Sequence, residues 1–335
     1  MAQKAAQLPK TSVWLFLHRW FGILTALFLF LAAVTGSVLT FRVALDNWVN
    51  GDLIRYEGQV SERINVVEAV SLYEADNPQL QVVEFPLNPG EDENIPVKVA
   101  AKPGAEAPGF DEVFLNPATG EAVGTRSTGP GLSGRQIVPL ILIFHEKLLL
   151  GDVGRIFLGI VAIGWLLSAL IGFYLTFPKR GPFLKKWWSA WTYSPKRSVA
   201  RQMLDMHRAS GLWLFILVVI VAFTSVALNF FFEFWAPLAS AVEPLEKSLF
   251  DRPLPFPDGA APTLSYADAL SLAEAERAAP GVNWQPATML YNPGWNIYGV
   301  TLTDNGVLNY KGLGPIYYYF DAVSGAYVHE VNPYT

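Results

Sequence analysis

Two short stretches of the chain repeat a histidine, an arginine and a glycine at one spacing. The six residues are His18, Arg19, Gly22, His207, Arg208 and Gly211. Imidazole is a common ligand of transition metals, and two imidazoles on neighbouring helices are what bis-histidine ligation of one haem iron requires. A glycine one turn after each histidine leaves room for a flat macrocycle on the same helix face. The arginines are suited to bind its propionates.

These residue types also have ordinary interpretations. Histidine and arginine often flank membrane spans, where a long arginine side chain extends to the headgroups. The glycines could instead permit close helix packing. Repetition in register favours the ligand interpretation for the pair, so we predict that His18 and His207 bind one b-type haem.

The remaining histidines give different predictions. His145 follows an apolar run at 137–144 and precedes a second apolar stretch. A span of about 20 residues rises about 30 Å, so His145 cannot share a haem with His18 or His207. His329 follows a turn and is expected to be exposed to solvent. Cysteine is absent, which excludes thiolate-bound iron–sulfur clusters, covalently attached haem, disulfides and cysteine nucleophiles.

Three uncharged stretches must position these residues. The chain of 335 residues is 52% hydrophobic and 16% charged, and residues 20–41, 156–177 and 209–232 carry no charge. Each is long enough to cross a bilayer. We predict membrane helices at 13–41, 156–177 and 207–232, and a surface helix at 136–150 whose end is broken by the glycines at 151–155.

Charge orients the spans. The segment 178–208 contains eight lysines and arginines and one acid, so the positive-inside rule makes the loop 178–206 and the N-terminus 1–12 cytoplasmic. The acidic regions 42–135 and 233–335 then lie outside. In a bacterium this is a multi-pass inner-membrane protein with its soluble regions in the periplasm.

The two outer regions repeat the same pattern of helix followed by strands. The first is predicted to contain a helix at 66–77 and strands at 80–85, 95–100 and 112–115. The second is predicted to contain a helix at 266–278 and strands at 287–291, 295–303 and 317–321. The sequence therefore predicts an α-helical membrane protein with three spans and two extracytoplasmic α+β lobes, built by internal duplication.

The stretches "LHRWFGILTALFLFLAAVTGSVLTFR" and "FHEKLLLGDVGRIFLG" together resemble the PepSY-associated transmembrane proteins. These are iron-regulated bacterial inner-membrane proteins that include ferric-siderophore reductases. The resemblance implies PepSY-type lobes in the periplasm, haem b bound by membrane histidines, and electron transfer to an iron chelate. It also implies that His145 is an axial ligand of a second, outer haem. Its partner would belong to a fourth span, and the second lobe ends at residue 335 before one.

The functional expectation is a haem b electron-transfer protein that reduces periplasmic ferric-siderophore. Its partners would be membrane lipid, the ferric-siderophore, and an electron donor that is a quinol or a cytoplasmic flavoprotein. No motif for a flavin, a nicotinamide or a nucleic acid is present. Two alternatives stay open: a non-enzymatic membrane-tethered sensor or regulator of peptidases, and a membrane subunit of a separate flavoprotein.

Overall fold

The computed structural model describes residues 10–196, 198–242, 249, 261–276, 284–308 and 314–333. The chain divides into two compact units. The membrane unit comprises Met1–Thr40 and Ile141–Glu246, and the sheet unit comprises Phe41–Leu140 and Lys247–Thr335. Some predicted features lie outside the described residues: most of the cytoplasmic N-terminus, Arg197 of the basic loop, the end of the helix predicted at 266–278, and parts of the second lobe.

Two helices are long and apolar enough to cross a membrane, α1 (Lys10–Leu39) and α6 (Gly151–Leu175). The third expected span is divided into α8 (Val199–Trp213) and α9 (Phe215–Asn229), which are bent by 68° at Leu214. The break marks a change in composition, because the first part of α8 is charged whereas α9 is apolar throughout. The chain therefore has two spans among its described residues, or three if the bent pair is one.

The reversal between α5 (Ile137–Lys147) and α6 differs in part from the prediction, since α6 begins at Gly151. The turn lies at the junction, where Leu148, Leu149 and Gly151 have φ of 52°, 60° and 59°. These left-handed conformations are costly for leucine but not for glycine. The prediction is therefore right for Gly151, but the turn extends back to the two leucines and residues 152–155 are helical.

The sheet unit contains one antiparallel sheet in the order β4-β3-β2-β1-β5-β6-β7-β8. Each half has a helix followed by four strands, and the predicted strands are confirmed with small changes at their ends. The first half comprises α4 (Val66–Asp76), β1 (Leu80–Pro86), β2 (Ile95–Ala101), β3 (Glu112–Leu115) and β4 (Ala122–Arg126). The second comprises α11 (Tyr266–Glu276), β5 (Gln285–Asn292), β6 (Ile297–Thr303), β7 (Ile316–Asp321) and β8 (Tyr327–Val331). The short helices are α2 (Arg42–Val49), α3 (Gly51–Ile54), α7 (Phe183–Trp187) and α10 (Ala236–Val242).

The two predicted lobes share this sheet. Strand β1 pairs with β5, with Phe85 opposite Met289, and both side chains lie in one apolar core with residues of α4 and α11. Tyr266 on α11 donates a hydrogen bond of 2.8 Å to the carbonyl of Val82. Joining the halves gives each of β1 and β5 a partner on both sides, which removes two exposed strand edges.

His329 corrects one prediction. It lies on β8 opposite Tyr319, is only 8% exposed, and its ring stacks on that tyrosine at 6.5 Å. The sequence predicted an exposed histidine because it follows so soon after the turn at Gly325. Tyr319 on the neighbouring strand β7 covers the His329 ring.

Candidate two-histidine cofactor site

The structure brings His18 and His207 together. Their ring centres are 6.0 Å apart and the ring planes meet at 49°. Each is the ninth residue of its helix, α1 or α8, and so lies in the helix interior. A metal–imidazole bond of about 2 Å on each side of one ion separates two ring centres by about 6 Å. The pair therefore has the spacing of two axial ligands.

His18 is held in one tautomer by α6. Its Nδ1 lies 2.9 Å from the carbonyl oxygen of Ser168 and 3.1 Å from the hydroxyl of the same residue. A carbonyl oxygen can only accept, so Nδ1 carries the proton and Nε2 keeps its lone pair. Metal-binding histidines are commonly oriented by such a second contact.

Gly172 allows this contact. A Cβ atom at this position would lie 2.7 Å from Cε1 of His18, which is too close for any other residue without a shift. Ser168 and Gly172 are four residues apart and face the same way on α6. The sequence prediction missed both, although small residues at this spacing in an otherwise bulky span mark a close helix contact.

A cavity of about 790 Å³ surrounds the two rings. Helices α1, α6, α8 and α9 form its walls, which are largely apolar, and Phe173 stacks on Phe215 at 4.1 Å along one side. The predicted haem site of His18 and His207, with the arginine and glycine that follow each of them, is called the inner site below. All six of its residues line the cavity. A Cβ on Gly211 would meet nothing within 4 Å, whereas one on Gly22 would lie 3.8 Å from the Ser168 hydroxyl. Gly211 thus borders open space, and Gly22 borders α6.

Arg208 lines this cavity and also has an unsatisfied donor. Its Nη2 donates a hydrogen bond of 2.9 Å to the carboxylate of Asp205, which is fully buried and also pairs with Arg201 at 3.3 Å. The Nε of Arg208 is buried and has no hydrogen-bond partner among the described residues. A buried N–H without a partner is costly, and a carboxylate is its strongest acceptor. Arg19 also lines the cavity but is exposed.

These features fit a b-type haem. Its iron would need only two side-chain ligands because the porphyrin supplies the others, and its propionates suit the positive guanidinium of Arg208, which lines the cavity. The described residues contain no cluster of three or more His, Cys, Asp or Glu side chains able to hold a bare metal ion.

His145 is held in a similar way at a second position. Its Nδ1 lies 2.8 Å from the hydroxyl of Thr35, and that hydroxyl donates to the carbonyl of Leu31 at 2.7 Å. The hydroxyl therefore accepts from Nδ1, which again leaves Nε2 with its lone pair. A Cβ on Gly36 would lie 3.1 Å from Cε1 of His145. Thr35 is about 25 Å from His18 along α1, at about 1.5 Å per residue, so the structure separates His145 from the inner pair.

Comparison with known proteins gives the family. Residues 15–315 match the sequence model of the PepSY-associated TM region, and a search among curated proteins finds no match. The matched region includes most of both units and every residue of the candidate site. The chain belongs to the family of PepSY-associated transmembrane proteins.

Proposed function

Starting from this family membership, we propose that the protein is a haem b electron-transfer protein of the bacterial inner membrane, with His18 and His207 as axial ligands. The observation that carries the proposal is the facing pair of imidazoles, 6.0 Å apart. The proton on Nδ1 of His18 is fixed by Ser168, so the nitrogen left for a metal is Nε2.

Haem b, when bound, supplies reversible one-electron chemistry. The chain's own residues hold and tune it. Ser168 and Gly172 orient the His18 ring, Arg208 places a positive guanidinium at the wall of the cavity, and the apolar walls exclude water. A positive guanidinium beside the cofactor favours the reduced state.

The charge pattern supports an orientation with the inner site near the cytoplasm. The basic segment 178–206 would face the cytoplasm and the sheet unit the periplasm. The electron donor would then reach the inner site from the cytoplasmic side or from within the membrane. A quinol or a cytoplasmic flavoprotein meets this requirement.

The terminal acceptor we propose is a ferric-siderophore in the periplasm. One electron converts its Fe³⁺ to Fe²⁺, which hard oxygen ligands bind less tightly, and iron is released. The family resemblance supports this substrate. A second haem at His145 is part of the same proposal: the Nδ1 contact with Thr35 would prepare His145 as a ligand, and the other ligand would come from another subunit or from a residue other than histidine.

We also propose that the chain arose by internal duplication. Both halves of the sheet have the order helix and four strands. This shared order of elements, together with the His-Arg-x-x-Gly repeat of the sequence, supports the duplication.

The proposal is tested in two steps with purified protein. The first is the absorption spectrum of the wild type and of the His18→Ala and His207→Ala variants, each after haem supplementation. The second is mixing of the dithionite-reduced, oxidant-free protein with a ferric-siderophore, followed at the haem absorption bands. Reoxidation together with Fe²⁺ release supports the reductase. A haem-loaded protein that stays reduced supports a subunit with another acceptor, and a haem-free protein supports the sensor alternative.

A further inference from the structure

Helix α2 presents an aromatic face away from the sheet. Phe41 at its start, Ala44 and Trp48 recur at helical spacing and share one face. Phe41 is 66% exposed and Trp48 is 80% exposed. Surfaces of soluble proteins seldom expose neighbouring aromatic side chains to this extent. We therefore expect another surface to bind this face.

The opposite face of α2 is fixed to the sheet by ion pairs. The carboxylate of Asp46 accepts two hydrogen bonds from Nη1 of Arg126, at 2.8 and 2.9 Å. Nε of Arg126 pairs with Glu112 on the neighbouring strand, and all three side chains are largely buried. Asn50 donates to Asp46 at 2.7 Å. The helix therefore cannot turn its aromatic face inward without breaking a buried charge network.

A third apolar side chain, that of Leu132, lies on the segment before α5 and is 93% exposed. Two residues on, a Cβ at Gly134 would lie 4.0 Å from the side chain of Val49, at the end of α2. Arg135 donates to both carboxylate oxygens of Asp52, at 2.8 and 2.6 Å. These contacts hold the segment against α2, and the patch comprises Phe41, Trp48 and Leu132.

We propose that this patch of the sheet unit contacts lipid at the headgroup–acyl boundary of the bilayer. The chain positions argue for lipid. Phe41 follows the end of span α1 by two residues, and Leu132 precedes α5 and the second span by a short segment. Tryptophan and phenylalanine favour this boundary, and Arg42 between them is suited to lipid phosphates. The patch is thus a membrane-seated surface, and it does not depend on the haem.

Site-specific labelling tests this in the full chain. The native sequence has no cysteine, so Trp48→Cys, Leu132→Cys and Phe41→Cys can each carry a single environment-sensitive NBD fluorophore. Phe41 is the other aromatic residue of the patch, at 66% exposed, and is used if Trp48→Cys fails to fold. Leu72→Cys is the matched control, since Leu72 on α4 of the same unit is 46% exposed.

The labelled proteins are reconstituted in phosphatidylcholine–phosphatidylglycerol nanodiscs with and without doxyl-labelled lipid. We expect blue-shifted emission at 48 and 132, and quenching by doxyl lipid several-fold stronger than at 72. Equal quenching at all positions overturns the proposal, as does quenching at neither 48 nor 132. Blue-shifted emission that doxyl lipid does not quench also overturns it, because a protein surface then covers the patch.

Discussion

Two histidines of the membrane unit are held alike, yet only one faces another histidine there. His18 donates from Nδ1 to the backbone of α6, and His145 donates from Nδ1 to a hydroxyl of α1. Each ring lies against a glycine. His18 meets His207 across the cavity, whereas His145, the remaining histidine of this unit, has no such counterpart. In the proposed function, the contact at Nδ1 would prepare each histidine as a ligand, and only His18 has a second imidazole beside it to complete a pair.

The contacts that hold the two histidine rings also differ in how rigid they are. The acceptor for His18 is a carbonyl within a continuous helix, and the glycine contact is closer, at 2.7 Å against 3.1 Å. The acceptor for His145 is a side chain that substitution can remove. The inner site should therefore be the more sensitive to changes in helix packing.

The largest effect is expected from removing the inner pair. His18→Ala together with His207→Ala should abolish inner-site haem, since both axial bonds are lost. Haem content per protein, from the pyridine haemochrome assay, measures this. His145→Ala is the matched control and should leave the inner haem in place. Equal loss in both variants would contradict the difference between the sites.

A smaller but still large loss is expected from Gly172→Ala. The added methyl group displaces the His18 ring, and haem content should fall several-fold. Gly36→Ala makes the corresponding change at His145, where the contact is less close, and should spare the inner haem. The absorption spectra of the two variants, recorded side by side, measure the haem at the inner site. An equal loss in Gly172→Ala and Gly36→Ala would contradict the prediction.

Gly211→Ala tests whether Gly211 makes room for the cofactor or for a neighbouring helix. The methyl group meets no protein atom within 4 Å, and alanine is the better helix former by about 1 kcal/mol. The haem-free protein should therefore be as stable as the wild type or more so, while haem binding weakens. Thermal unfolding and haem titration are compared in the same preparation. Unchanged haem affinity would show that the macrocycle does not approach Gly211.

Arg208→Gln is expected to lower the haem reduction potential, because a positive charge that favours the reduced state is lost. For Asp205→Asn, the direction of the change in reduction potential shows how Asp205 acts. If Asp205 acts by holding Arg208, the potential falls as in Arg208→Gln, and the double variant resembles Arg208→Gln alone. If its own negative charge dominates, the potential rises. Redox titration of the three variants distinguishes these outcomes.

The smallest effect is expected at Thr35. Thr35→Val removes the acceptor for His145 and should leave the inner-site spectrum unchanged, whereas Thr35→Ser keeps the hydroxyl and should match the wild type throughout. A change in the inner spectrum of Thr35→Val would mean that the two histidine positions are coupled.

Much of this architecture is readable from the sequence. Residue types at helical spacing gave the inner histidines and their cavity neighbours, and alternation gave strands β1 to β3 and β5 to β7. Ser168, Gly172, Thr35 and Gly36 escaped prediction because their roles arise from contacts between spans far apart in the chain. The shared sheet escaped prediction for the same reason, because it depends on how the two halves of the sheet unit meet.

The most direct test of the central claim is the absorption spectrum of the purified protein, oxidised and reduced, beside that of the His18→Ala/His207→Ala variant. The account predicts a low-spin, six-coordinate b-type spectrum in the wild type that is absent from the double variant after subtraction of any haem at His145. A wild-type protein that stays colourless with added haem, or a double variant with the full spectrum, would contradict it.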